Sequence, residues 1–319
     1  MKLQQLRYLH EICQSGMNLS LAATALHTSQ SGISRAMRDL EAELGTKLLI
    51  RSGKRILGLT DAGREVSEIA RRMLLDAERV RRVTQDITSE ASGEFLIATT
   101  HTHARYALPN VIRSFVARWP QVRLSLRQGN PQEIAGWVAS GAVDMSITAA
   151  PSNRSPDMAL LPCYDLHRLI VAPVGHEILE PGEVTFERIA RYPMITYDPA
   201  FPGRTSINRQ FEERGLSPHI ALSATDADLM KVYVKIGLGI AIVGHIAFDT
   251  EADSSLQALD GRHLFPPNRI FVGVNTQRQL RGYMFDFITL FAPHLTRKVA
   301  ERLMRGGVYD GLIGDMPGQ

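Results

Sequence analysis

The segment Thr28-Ser29-Gln30-Ser31-Gly32-Ile33-Ser34-Arg35-Ala36-Met37-Arg38-Asp39-Leu40-Glu41-Ala42-Glu43-Leu44 carries two distinct faces at helical spacing. Ile33, Met37, Leu40 and Leu44 fall on one stripe, the pattern of a helix with one buried side. Gln30, Ser31, Ser34, Arg35 and Arg38 share an arc well away from it, at about 100° per residue. Thr28 or Ser29 is placed to cap the first turn. Arginine can pair bidentately with guanine and glutamine with adenine, and a helix N-terminus attracts phosphate. The arc therefore meets the requirements of a DNA recognition helix.

Upstream, Leu3, Leu6, Leu9 and Ile12 predict a first helix, and Gly16, Asn18 and Ser20 a stop and restart. The Ala-rich run Leu21–Leu26 predicts a compact second helix, followed by a turn at His27-Thr28. Downstream, Lys47–Arg51 and Ile56–Leu59 predict two short strands around a turn at Ser52–Arg55. That hairpin is a basic wing within reach of phosphates or the minor groove. A polar helix face or a basic hairpin alone is more often a solvated surface. Helix, turn, helix and wing in this order within sixty residues favour DNA binding, with contacts expected from Thr28, Ser29, Gln30, Ser31, Ser34, Arg35, Arg38, Arg51, Lys54 and Arg55.

Charge points the same way. The net charge is only +3 over 319 residues, but residues 1–90 hold 14 Lys and Arg against 11 Asp and Glu. The other 229 residues hold 22 of each sign, so the whole excess sits where a polyanion would bind. With 44% hydrophobic and 22% charged residues the chain is neither disordered nor a disulfide scaffold. No run approaches the ~18 apolar residues of a membrane helix and the start has no apolar leader, so a cytoplasmic protein without membrane contact is expected. Cys13 and Cys163 are too few and too far apart for a disulfide framework or metal cage.

From Asp61 to about Glu90 there is no proline and Gly63 is the only glycine, which predicts one helix of some 30 residues, about 45 Å long, capped by Thr60. Val66, Ala70, Met73, Ala77, Val80, Thr84 and Ile87 alternate at spacings of four and three, the seam of a coiled coil. A helix packed on its own domain is the competing reading. The seam predicts a homodimer, whose recognition helices would read half-sites ~34 Å apart or a multiple of it.

Beyond Glu90-Ala91-Ser92-Gly93 the pattern becomes strand and helix in alternation. Phe95–Thr99, Val122–Arg127 and Val143–Thr148, with helices over Arg105–Arg118 and Gln132–Ser140, form a βαβαβ unit and hence a parallel sheet. A second unit runs from Arg168–Ala172 through Met194–Tyr197, Ser206–Arg214, His219–Ser223 and Ala227–Lys235 to Ile240–Val243. Arg269–Val274 and Leu280–Phe291 then complete the first. Two α/β lobes joined by two crossings place a ligand cleft between them. Thr99-Thr100-His101-Thr102-His103 ends the first strand at that cleft, where hydroxyls and free N–H groups suit an anion, although the same residues would serve as a plain helix cap. Gly237-Leu238-Gly239 lacks the third glycine of a dinucleotide site, His101 and His103 lack further metal ligands nearby, and no catalytic motif is present. No enzymatic activity, metal or cofactor is expected.

Residues 1–64 resemble the winged helix-turn-helix of LysR-type transcriptional regulators, through Leu6-Arg7-Tyr8-Leu9, Ala22-Ala23, Ser29–Arg35, Leu40–Gly45, Leu48–Arg51 and Leu59–Gly63. Ser31 stands where that family often has proline. Ile97–Thr102, Ala104–Ile112, Leu161–Tyr164, Ala224–Asp228 and Phe291–Arg297 further resemble the CysB branch, to about residue 305. The resemblance implies a two-lobed effector domain like a periplasmic binding protein, homotetramer assembly and control of sulfur-acquisition genes. The implied effector is a small anion such as sulfate, thiosulfate, acetylserine or a related sulfur metabolite. It places effector contacts at Thr100 and Thr102, and at His103, Ala149 and Pro202, where the branch has glutamine, threonine and threonine. Thr148 and the Gly203 N–H are the nearest substitutes for the two lost hydroxyls, so a shifted effector is expected.

The expected organisation is an α/β protein with a winged helix-turn-helix at 1–60 and a linker helix at 61–91. Lobe I takes 92–163 and 268–305, lobe II 164–267, and a loose glycine-rich tail 306–319. The expected partners are double-stranded promoter DNA, a small anionic effector and further copies of the chain, with RNA polymerase allowed by the same reading. The alternatives are a LysR-type regulator of an unrelated pathway, or a non-regulatory α/β ligand-binding protein whose N-terminal helices mediate assembly.

Overall fold

The computed structural model describes residues 1–53, 55–86, 92–153, 155–199, 201–311 and 313, and of residues 75, 78, 79, 81–86 and 202 the backbone alone. It forms two compact units, Met1–Ser89 and Glu90–Gln319.

The first unit runs α1 (Leu3–Gln14), α2 (Leu19–Ala25), α3 (Gln30–Leu44), β1 (Leu49–Ser52), β2 (Arg55–Leu59) and α4 (Asp61–Asp86). The Asn18 side chain caps α2 by accepting from the Ser20 and Leu21 N–H groups. Ser29 caps α3 by accepting from the Gly32 N–H at 3.1 Å. Ile33, Met37 and Leu40 are fully buried in one core with Leu6, Leu9 and Ile12, each worth about 1.5–3 kcal/mol. Leu44, on the same stripe, is exposed where α3 runs past that core.

The strands β1 and β2 pair antiparallel, Leu49 opposite Leu59. Thr60 begins α4, its hydroxyl accepting from the Gly63 N–H at 2.9 Å and donating to the Lys47 carbonyl at 2.6 Å. A Cβ on Gly63 would stand 2.0 Å from the Leu48 carbonyl oxygen, so only glycine lets α4 abut the hairpin. The described helix has 26 residues, about 39 Å. Ala70 is fully buried and Val66 packs against this unit's own core, whereas Met73 and Val80 stay exposed. The first part of the expected seam thus belongs to the unit itself. Ile87 and the expected helix end lie outside the described residues.

The second unit begins with β3 (Gly93–Thr99), a π-helical turn at His103–Ala107, α5 (Pro109–Arg118), β4 (Val122–Gln128), α6 (Pro131–Ala139), β5 (Met145–Ala149) and β6 (Met158–Leu166). It continues with β7 (Arg168–Pro173), α7 (Phe186–Ile189), β8 (Met194–Tyr197), α8 (Pro202–Glu212), β9 (Ile220–Ala224), α9 (Ala227–Lys235), β10 (Ile240–Gly244) and β11 (Leu256–Asp260). It ends with β12 (Asn268–Asn275), α10 (Gly282–Phe291) and α11 (Arg297–Met304).

One sheet has the order β4-β3-β5-β12-β6 and the other β11-β7-β10-β8-β9, giving the two α/β lobes. Both sheets are mixed rather than parallel. The strands flanking the crossings, β6, β7, β11 and β12, pair antiparallel with their neighbours, while β3, β4, β5 and β8, β9, β10 run parallel. The sequence pattern does not mark two of these, β6 and β11, as strands. Pro162 interrupts the pattern of β6, yet edge strands tolerate proline, and its pairing with β12 shifts register at this point.

The first crossing falls at His167, between β6 and β7, three residues beyond the expected boundary because β6 continues through the Pro162 irregularity. The tail is not wholly loose either, since Tyr309 and Ile313 pack against the lobe I core. Its positions 312 and 314–319 lie outside the described residues.

Candidate DNA-contact face and effector cavity

On the outer face of α3, Ser31, Arg35 and Arg38 are exposed and Ser34 is half-buried. Among the described residues Arg35 has no hydrogen-bond or ion-pair partner and is free to meet a base or phosphate. Gln30 is already engaged, its Nε2 donating to the Ser20 hydroxyl at 2.7 Å, and Arg38 Nε leans on the Ser34 carbonyl at 3.4 Å. Ser29 and Ser31 share a hydroxyl contact at 3.1 Å, and Thr28 is half-buried before them. Arg55 projects from the wing, and Lys54 lies outside the described residues.

Arg51 departs from the expected set. Its Nη2 is buried and points at Glu41 Oε2, 4.0 Å away. Glu41, buried in α3, also accepts from the Leu48 and Leu49 N–H groups at 3.0 and 3.1 Å and faces Lys47 Nζ at 3.6 Å. Arg51 thus anchors the wing to α3, a role its charge alone did not reveal.

In the second unit a cavity of about 60 Å³ lies between the lobes, room for about four or five water-sized groups. It sits at the carboxyl ends of the parallel strands, where ligands bind in open α/β sheets. Lobe I lines it with Thr100, Thr102 and His103 after β3, Pro131 at the start of α6, and Thr148 and Ala149 at the end of β5. Gly203 lines it at the start of α8. Pro202, the first residue of α8, is described by its backbone alone. The structure therefore brings Thr100, Thr102, His103, Thr148, Ala149 and Gly203 to one cavity.

Sequence reasoning missed the other lining residues, Leu166, Arg168, Tyr197, Phe201 and Thr225. Arg168 is the most consequential. It is 4% exposed, and among the described residues its guanidinium has no carboxylate within ion-pairing distance and donates no hydrogen bond. Burial pushes its pKa down, and the nearby Tyr197 works against that shift. A Cβ on Gly203 would approach Arg168 Nη2 to 2.8 Å, so the glycine leaves space for the guanidinium. A buried charge without a partner is costly unless something else meets it.

Two further polar atoms on the same wall are unsatisfied. Thr148 Oγ1 and His103 Nε2 are buried without a hydrogen-bond partner. His103 Nδ1 meets the Thr100 hydroxyl at 2.8 Å, and burial lowers the imidazole pKa to about 4, so the ring is neutral at neutral pH. The first-turn N–H groups after β3 and at the start of α8 lack intrahelical acceptors, which adds positive potential. Arginine, hydroxyl and imidazole groups are thus left unpaired around one void, each able to donate a hydrogen bond.

Next to this wall the lobes are joined across the cleft. Asp228 of α9 accepts from the Tyr106 hydroxyl at 2.5 Å and contacts His101 Nε2 at 3.0 Å and Arg105 Nε at 3.3 Å. Burial disfavours its charge, but the Tyr106 and His101 hydrogen bonds and the Arg105 and Lys231 charges outweigh it and hold the carboxyl below its ordinary pKa. His101 shares a turn with Thr100 and Thr102, so a ligand on that turn acts close to an interlobe contact.

Known proteins match both units. A family model described as bacterial regulatory helix-turn-helix protein, lysR family, matches residues 3–64, and one described as LysR substrate binding domain matches residues 88–296. The chain is 45% identical over 308 residues to the HTH-type transcriptional regulator SsuR of Burkholderia cenocepacia, covering 97% of this chain and 100% of the relative. It is 41% identical over 306 residues to CysB of the same organism, covering 96% and 98%. The solved cofactor-binding domain of the Cbl transcriptional regulator superposes with a TM-score of 0.64 at 37% identity, over 67% of this chain and 94% of that one.

Proposed function

The chain belongs to the LysR family of bacterial transcriptional regulators, and from that membership we propose that it controls sulfur-acquisition genes in response to a small anion bound between its lobes. It is a DNA-binding regulator rather than an enzyme. The similarity to SsuR, CysB and Cbl supports the sulfur assignment. The observation that carries the effector is the buried, unpaired set of Arg168, Thr148 Oγ1 and His103 Nε2 around one cavity.

Thr100, Thr102 and the Gly203 N–H complete the effector contacts, and Ser31, Ser34, Arg35, Arg38 and Arg55 meet promoter DNA. The exposed Met73 and Val80 of α4 continue into a homodimer seam, and dimers pair into tetramers in the cytoplasm. An anion that binds one lobe arrangement better shifts the population toward it, and that differential affinity is the whole source of regulation. RNA polymerase is the downstream partner of such a change.

Arg35→Ala should weaken specific operator binding by about 1–3 kcal/mol while leaving binding to random DNA at fixed salt nearly unchanged. Genome-wide mapping of bound sites with and without sulfate tests the pathway. Sites that lie nowhere near sulfur-acquisition genes would overturn the sulfur assignment and leave the family intact.

A further inference from the structure

Resting on the reading of this cavity as the effector site, we infer that it selects a singly charged R–SO3⁻ anion with a short apolar R group over inorganic sulfate. Three features of the wall carry this choice: its charge, its hydrogen-bonding atoms and its apolar side.

Among the described residues Arg168 is the only lysine or arginine on the lining and no aspartate or glutamate lines it, and His103 is neutral. The site thus offers one positive charge. A monoanion balances it, whereas a dianion such as sulfate would leave an unpaired negative charge buried in a low-dielectric space. The helix N-termini soften this excess, but Asp226 caps α9 and Asp228 lies in its first turn on the same side of the cleft.

The unsatisfied atoms fit three oxygens. Thr148 Oγ1, His103 Nε2 and the Arg168 guanidinium are joined by the Thr102 hydroxyl, while the Thr100 hydroxyl donates to His103 Nδ1 and so leaves the proton on Nε2. A carboxylate, with two oxygens, would leave more of these groups unpaired, and each such group is costly when buried.

Part of the remaining wall is apolar. Pro131, Ala149, Leu166 and Phe201 line it beside Tyr197 and Thr225, the Thr225 hydroxyl already donating to Asp226 at 3.2 Å, and Ala149 presents a methyl group beside Thr148. The fourth oxygen of sulfate would press against carbon there, losing its water without a replacement, while an alkyl group would gain contact.

Calorimetry on the full-length protein at pH 7.5 and constant ionic strength tests this with ethanesulfonate, sulfate and propionate. Ethanesulfonate should bind about tenfold or more tightly than either of the others. Arg168→Met should abolish its binding. Thr148→Val, a nearly isosteric change, should weaken it about tenfold. Ala149→Thr should move the preference back toward sulfate. Sulfate binding as tightly as ethanesulfonate, or ethanesulfonate binding unchanged in both Arg168→Met and Thr148→Val, would overturn the inference while leaving a cavity that binds anions. Absence of heat for all three anions, together with unchanged operator affinity in their presence, would overturn the effector-site reading itself.

Discussion

Glu41 in the DNA-binding unit and Arg168 in the effector unit are both buried charges, 3% and 4% exposed, yet their surroundings are opposite. Glu41 has two backbone N–H donors and two cations around it, all from the first residues of the wing. Arg168 has no counter-charge among the described residues and faces a void. The first charge is met within its own chain, Oε1 by the two N–H groups and Oε2, which accepts no hydrogen bond, by the two cations, and it fixes geometry. The second has no internal partner, and its desolvation is borne by the rest of the lobe. Within this molecule, internal pairing separates a buried charge that builds the fold from the one we propose builds a site.

The contrast breaks most visibly at Glu41. Replacing it by alanine leaves the Leu48 and Leu49 N–H groups without acceptors and the buried Arg51 Nη2 without its counter-charge, so the DNA-binding unit should lose about 3–5 kcal/mol. Denaturant unfolding of the full-length protein, followed through the transition of this unit, measures the loss. Arg51→Ala should cost less than Glu41→Ala, because Lys47 and the two backbone donors remain. A Glu41→Ala protein as stable as the parent would mean the four contacts contribute nothing.

His103 lies between the extremes, with Nδ1 paired to Thr100 and Nε2 unpaired. Its folded pKa of about 4 is below the ordinary 6.5. Below pH 6.5 the unfolded chain therefore takes up a proton that the folded one refuses. The stabilisation associated with the neutral ring is complete above pH 6.5 and is lost as pH falls toward 4, by about 3 kcal/mol in all. His103→Gln removes this slope. Melting temperatures of the two proteins from pH 7 to 4.5 should diverge at the acid end, and parallel curves would refute the assignment.

How much of this is legible in the sequence follows the same distinction. Periodicity and capping residues place α1 to α3, the wing and most strands, because each is fixed by local pattern: Ser29 caps α3 as expected, and Asn18, read as part of the restart, caps α2. Thr100, Thr102 and His103 are legible because they cluster at a strand end, and Thr148 only through the family resemblance that points to its neighbour Ala149. Arg168 is not, since a single arginine opening a strand looks like any surface arginine until the other lobe closes over it. Arg51 differs in the opposite direction, its sequence showing a second partner no more than Arg168's shows a cavity. A basic wing residue reads as a DNA contact, and only the fold shows Glu41 buried within reach of it. The strands β6 and β11 escape a local reading because their pairing is decided by distant partners rather than by their own alternation.

The smallest expected effect on stability is the most discriminating, because it has the opposite sign. Arg168→Met removes a buried charge that no internal group compensates and supplies an apolar side chain in its place. Without added anion the effector unit should hold its stability or gain about 1 kcal/mol. Lys231 is the internal control, since it is equally buried but meets Asp253 at 2.7 Å and the Tyr106 hydroxyl at 3.1 Å. Lys231→Met should destabilise the same unit by leaving the buried Asp253 carboxylate with only Lys235 and the Asp249 N–H, each at 3.3 Å. Adding the anion reverses the ranking. The parent gains stability in proportion to the logarithm of ligand concentration over its dissociation constant, and Arg168→Met should gain none. Thermal melts of the three proteins with and without ethanesulfonate read both signs at once. An Arg168→Met protein that is strongly destabilised without ligand would show that its guanidinium is held by the fold after all, and would put it in the same class as Glu41.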